Sequence, residues 1–267
     1  MLNIKEIWEK RAKEEHPYDV VYGKFQGRRL KKLLETKEAQ KQARKRVEET
    51  VMELGVSGKK VIDAGIGPLA RFSIVFCEFG ADVIGIDISK DVLESAKSAL
   101  NGKQVNLILA DIMNLPFKEE TFDISFCVGT IYHMPNGQKG VEKALKELAR
   151  VTKKSGFIYF NVENYLNPIN WPQIVGRGIL KALGATLPPH TLFNYYSLLK
   201  IVERSGLRII DIKVTFELWG PLIFLPWPIL KNIRKIWIPI SEKMCKISEK
   251  NRFFRFMGVG WYLRVMK

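Results

Sequence analysis

The chain has 267 residues, 46% hydrophobic and 27% charged, which is ordinary globular composition and excludes a low-complexity or mainly disordered chain. Cys77, Cys127 and Cys245 are widely spaced, and His16, His133 and His190 form no ligand pattern. That excludes a disulfide framework, indicates no metal site and suits a reducing cytoplasm. The formal net charge is +15, and it is placed unevenly. Residues 1–60 carry about 16 basic and 10 acidic groups, residues 61–212 are near balance, and residues 213–267 carry about 11 and 3. Basic flanks suit nucleic acid or an anionic membrane surface, and equally a solvated lysine-rich surface.

The charged opening MLNIKEIWEKRAKEE has no apolar run of the kind a secretory signal needs. Ile4, Ile7 and Trp8 predict a short helix over 3–15, broken at His16-Pro17. A longer basic helix is expected over about 27–54, ended by Gly55. From Lys60 the pattern alternates. Strands are expected at 60–64, 81–87, 105–109, 121–128 and 156–162. Helices are expected at 68–79, with Pro68 in the first turn, at 89–100 with Ser89 as cap, and at 140–151. Residues 163–192 read as an excursion rich in proline and glycine. A helix at 195–205, a strand at 207–216, an apolar proline-broken stretch at 218–240 and a final strand at 258–266 follow. Strand–helix alternation on this scale means a mostly parallel sheet covered on both faces, a Rossmann-like α/β fold. We divide the chain into a helical extension or lid (1–57), a cofactor-binding domain (58–216) with the excursion at 163–193, and an apolar cap with the last strand (217–267).

The segment VIDAGIGPLA sets a strand, a glycine turn and a helix start in order. Gly65 permits the tight turn and Gly67 lets the backbone approach a ligand. Asp87, ending the second strand, can accept both hydroxyls of a ribose. These features suit NAD and S-adenosylmethionine equally. Asp63 and Asp111 discriminate. A carboxylate at 63 repels a pyrophosphate and attracts an ammonium group, and one at 111 can accept from an adenine amine. Each aspartate alone could be a loop cap.

VIDAGIGP, VIGIDIS, LILADIMNLPF, FDISFCVGTIYHM and ALKELARVTKKSGFIYF, in that order over residues 59–164, resemble the motifs of class I S-adenosylmethionine-dependent methyltransferases. The resemblance implies a seven-stranded sheet with an antiparallel last strand. It implies that Asp63, Ala64, Gly65 and Gly67 hold the methionine end. Asp87 and Ile88 would bind the ribose and pack on adenine, Asp111 and Ile112 would meet the adenine, and Cys127 and Val128 would line the sulfonium side. Pro68 departs from the family's usual small residue.

In-line transfer from an activated sulfonium needs alignment and exclusion of water. His133 is the candidate base and Tyr132 the candidate orienting group, although His133 could simply shape its loop. Asn161, Glu163 and Asn164 could contact the acceptor or cap loops. Trp8, Tyr18 and Tyr22 could close over the cofactor or pack in the core. The expected acceptor is a small molecule or lipid, under a cap formed by 163–240. The apolar stretch at 218–240 is too short and too broken by proline to span a membrane, and it could lie on one through Lys231, Arg234 and Lys235. The alternatives are a tRNA methyltransferase guided by the basic helix, an NAD-dependent oxidoreductase, and a regulatory protein that kept the nucleotide site.

Overall fold

The computed structural model describes residues 4–12, 37–184, 187–216 and 227–267. Helix α1 (Ile4–Ala12) and helix α2 (Lys37–Leu54) precede the sheet. The alternating unit follows as β1 (Lys60–Ala64), α3 (Arg71–Glu78), β2 (Asp82–Asp87), α4 (Lys90–Leu100), β3 (Val105–Leu109), β4 (Phe122–Cys127), α5 (Gln138–Val151) and β5 (Thr152–Glu163). Then come α6 (Trp171–Ala182), α7 (Tyr195–Arg204), β6 (Arg208–Thr215), α8 (Trp227–Lys250), α9 (Arg252–Phe256) and β7 (Gly260–Met266).

All seven strands form one sheet in the order β3-β2-β1-β4-β5-β7-β6. Strands β1 to β5 pair in parallel, and β7 runs antiparallel to both β5 and β6. The order therefore reverses between β1 and β4, and a crevice opens at their carboxyl ends. Alternation along the strands sends side chains to two cores. Ile62 and Ala64 face one that holds Leu145 and Leu148 of α5 and Trp261 of β7. Val61 faces the other, with Val51 and Leu54 of α2 and Phe76 of α3. Asp63 has the parity of Val61 and so points toward α3.

The expected strands all form, within a few residues of their predicted bounds, except that β5 begins at Thr152 rather than 156. Its charged Lys153-Lys154 hides the extension, which Thr152 anchors by bonding the Ser125 hydroxyl (2.7 Å) and the Leu148 carbonyl (2.6 Å). Four helical expectations change. Helix α3 starts at Arg71, because Ala70 adopts a left-handed φ of 45° and its N–H bonds Gly67 O, 3.3 Å away. Pro68 is thus the second residue of a turn, where its fixed φ also fits, and not a first helical residue. The excursion at 163–192 contains a full helix, α6. The stretch read as proline-broken is helical from Trp227 onward and carries Pro239 inside α8, at the loss of one backbone bond. The short α9 has no counterpart in the prediction. Residues 27–36, Tyr18, Tyr22 and 217–226 lie outside the described residues. Among the described residues, no helix is long and apolar enough to cross a membrane.

Candidate active site

The crevice is closed first by backbone. Gly65 N–H and Ile66 N–H both bond Ile86 O (2.8 and 2.9 Å), tying the turn after β1 to the end of β2. Gly65 has φ +82°, and Thr130 of the loop after β4 reaches across the crevice toward its carbonyl (3.3 Å). A Cβ on residue 65 would lie 2.7 Å from Thr130 Cβ and closer still to its other side-chain atoms. Gly65→Ala is therefore expected to lose about 2–4 kcal/mol of stability and to bind S-adenosylhomocysteine poorly. Thr130→Gly in the same chain should recover part of the stability, read by thermal denaturation. No recovery would mean that the clash is not the cause. At Gly67, φ is +66° and nothing lies within 4 Å of where a Cβ would stand, so this part of the loop borders open space.

Two carboxylates flank the loop. Asp63 is 4% exposed and accepts a hydrogen bond from Ser73 Oγ of α3 at 2.6 Å. Burial pushes its pKa up to about 7, the charge of Asp87 adds to the rise, and the Ser73 bond opposes it. Asp87 accepts from Ser89 N–H (3.1 Å) and, at longer range, from Gly67 N–H (3.4 Å). Burial raises it to about 6 against those backbone bonds and one from Ile88. Ser89 also caps α4 by accepting from Val92 N–H. The third acid, Asp111, accepts from Met113 N–H at 2.8 Å and holds its own turn. Its neighbour Ile112 is buried in the first core. Cys127 is fully buried, and burial together with the charge of Asp63 lifts its thiol well above the usual range. Ala64 is buried, while Ile88 and Val128 are half-buried at the ends of β2 and β4.

Beyond β4 the chain builds a second cluster. The Nδ1 of His133 lies 2.6 Å from Pro189 O. A carbonyl only accepts, so Nδ1 carries the proton in this contact. The His133 ring meets Trp8 edge-on at 5.3 Å, Tyr132 at 4.5 Å and His190 at 5.6 Å. His190 Nε2 sits 3.1 Å from Glu163 Oε2 at the end of β5. Arg177 of α6 donates to Pro188 O at 2.5 Å, and Glu163 and Tyr132 lie within its electrostatic reach. Thr191 N–H bonds Tyr132 O at 2.7 Å. Residues 188–191 thus fasten three separate elements: α6 through Pro188, the end of β5 through His190, and the turn after β4 twice, through Pro189 and Thr191.

Sequence reasoning missed this strap and its two members Arg177 and His190. Their partners are remote in sequence, so no spacing could expose them; Pro188-Pro189-His190 was the only local signal. Of the three residues closing β5, Glu163 joins the cluster. Asn161 Oδ1 accepts from Gly129 N–H (2.7 Å) and shapes the loop after β4. Asn164 is buried and donates to Phe256 O and Gly258 O (both 2.8 Å), so its work is structural. Trp8 stands against the cluster; Cys77, Cys127 and Cys245 form no disulfide with one another.

A glycine turn at the strand-order reversal, carboxylates ending adjacent strands and an antiparallel seventh strand define a Rossmann-like methyltransferase fold. Comparison with known proteins agrees. Residues 62–160 match the family described as "Methyltransferase domain". The chain is 31% identical over 104 residues to methyltransferase GfsG of Streptomyces halstedii, covering 38% of this chain but only 36% of that protein. It is 28% identical over 164 residues to the ubiquinone biosynthesis O-methyltransferase of Coxiella burnetii, covering 60% of this chain and 68% of the relative. Magnesium protoporphyrin IX methyltransferase of Synechocystis, crystallised with S-adenosylhomocysteine, shares the fold with a TM-score of 0.55 at 20% identity, over 79% and 93% of the two chains. Residues 62–160 are thus a methyltransferase domain, and the fold around them is that of the class I S-adenosylmethionine-dependent methyltransferases, whose cofactor is S-adenosyl-L-methionine.

Proposed function

We propose that this protein transfers the methyl group of S-adenosylmethionine to a small-molecule or lipid-like acceptor held over the carboxyl ends of β4 and β5. The observation that carries the cofactor half of this reading is the pair Asp63 and Asp87. Two carboxylates kept uncomfortable by burial suit a ligand that brings positive charge, and a pyrophosphate would add a third anionic group beside them. The open space at Gly67 suits close approach of the ligand to backbone.

On this reading Asp63, Ala64, Gly65 and Gly67 hold the methionine end, Asp87 and Ile88 the ribose, and Asp111 and Ile112 the adenine. Cys127 and Val128 back the sulfonium side. Asp63 acts partly through Ser73, since that hydroxyl occupies one of its oxygens. The bound cofactor supplies an electrophilic methyl group that needs no further activation. The remaining work is positioning: Tyr132, Glu163, Arg177 and His190 present polar groups to the acceptor, and His133 takes its proton at Nε2. Helix α1, through Trp8, serves as lid over this cluster, and α8 with α9 serves as cap while β7 completes the sheet.

The acceptor half draws support from the ubiquinone biosynthesis O-methyltransferase, a relative named for small-molecule O-methylation. The nucleic-acid alternative is weaker. In the basic helix α2, Arg44 pairs with Glu48 and Glu78 and Lys45 with Glu49, so its positive charge is partly answered within the chain. Calorimetry with S-adenosylhomocysteine and with NADH tests the cofactor. Binding of the first alone is expected; binding of NADH alone would overturn the reading. Tight, steeply salt-dependent binding of tRNA would move the acceptor to RNA.

A further inference from the structure

Helix α6 is built inside out. Its charged Arg177 is half-buried on the protein side, against Pro188 O and near Glu163 and Tyr132. Its apolar residues face water: Trp171, Val175, Ile179 and Leu183, at four-residue spacing, are 55%, 60%, 56% and 78% exposed. That spacing gives one continuous stripe. The stripe does not end with the helix. Asn164 and Asn167 donate to Phe256 O and Met257 O, which holds exposed Leu166 and Met257 beside the helix entrance. A patch of this kind marks a surface that something covers.

The charges around it select the occupant. Residues 166–183 contain Arg177 and Lys181 and no acidic residue, and Lys181 is exposed. Arg255 adjoins Phe256, whose carbonyl Asn164 holds. A two-fold contact between copies would set Lys181 and its neighbours against themselves. An anionic bilayer meets both needs: acyl chains take the stripe, headgroups take the lysine, and Trp171 lies at the depth that indoles favour. We propose that the outer face of α6 is a membrane-docking surface for anionic lipid, separate from the 218–240 stretch. Docking here sets the inner face of the same helix, with Arg177, between the bilayer and the acceptor cluster. The proposal stands whether the acceptor is a lipid or a soluble molecule.

Co-sedimentation with phosphatidylcholine vesicles, with and without phosphatidylglycerol, tests it without any acceptor present. The full chain is expected to bind the anionic vesicles, less well at high salt, and the neutral ones weakly. Val175→Asp with Ile179→Asp should weaken binding about tenfold or more. Lys181→Glu should weaken it about fivefold or more on anionic vesicles. Retained binding of S-adenosylhomocysteine shows that the variants are folded. Absence of vesicle binding by the wild type, or unchanged binding by the double variant, would overturn the proposal. So would a wild-type dimer in light scattering that the double variant splits, since the occupant would then be a second copy.

Discussion

Replacing Asp63 by asparagine is expected to weaken binding of S-adenosylhomocysteine by about 10- to 100-fold and yet to stabilise the ligand-free fold at pH 8. The two effects have one cause. The folded chain raises Asp63 from the ordinary 3.8 to about 7, chiefly by burial. Between those values the native state holds a proton that the unfolded state releases, so stability falls as pH rises through the window and stays low above it. The loss is on the order of 4 kcal/mol for a shift of this size. Asparagine cannot ionise, keeps an oxygen for the Ser73 hydroxyl and escapes the loss. Its thermal midpoint should exceed that of the wild type at pH 8 and match it near pH 4. A ligand with an ammonium group reverses the account: it stabilises the ionised carboxylate and gains nothing comparable from the amide. Wild-type affinity should also fall as pH drops through about 7 and then about 6, where Asp63 and Asp87 take up protons. The variant should keep only the lower step. If Asp63→Asn binds like the wild type, the carboxylate does not recognise the ligand. If it is the less stable chain at pH 8, burial does not govern Asp63.

The same residue shows how far sequence reaches. Strand, glycine turn and terminal acid are local features, and periodicity with turn chemistry placed them correctly. Which way Asp63 points follows from alternation along β1, but its partner does not: Ser73 is ten residues on, across a turn whose left-handed Ala70 delays the helix. Asp111 makes the opposite case. Its sequence position suits either a ligand group or a loop cap, and the bond from Met113 N–H occupies one oxygen in the capping role and leaves the other for a ligand. The acceptor side was the least legible. His133 could be named from its position after β4. Its tautomer depends on a carbonyl 56 residues away, in a segment whose only local mark was a pair of prolines. The helix α6 is hidden because Pro168, Pro172, Gly176 and Gly178 punctuate its apolar spacing and read as breakers. Sites assembled from distant loops leave little periodic signal.

Turnover is expected to fall about 10²- to 10⁴-fold in His133→Asn, with little change in affinity for S-adenosylhomocysteine. Asparagine is the informative substitute because its side-chain amide can donate to Pro189 O in place of Nδ1–H, so the strap stays fastened. What is lost is the lone pair at Nε2. With an acceptor that loses a proton on methylation, the wild-type rate should decline toward acid as His133 protonates. The variant should lose that acid limb along with its rate. A drop in rate that leaves the limb intact would assign the titration to another group. Near-normal turnover across pH would show that His133 only shapes the loop. The acceptor would then be one that needs alignment alone, because a soft nucleophile brought into line with a sulfonium methyl requires no base.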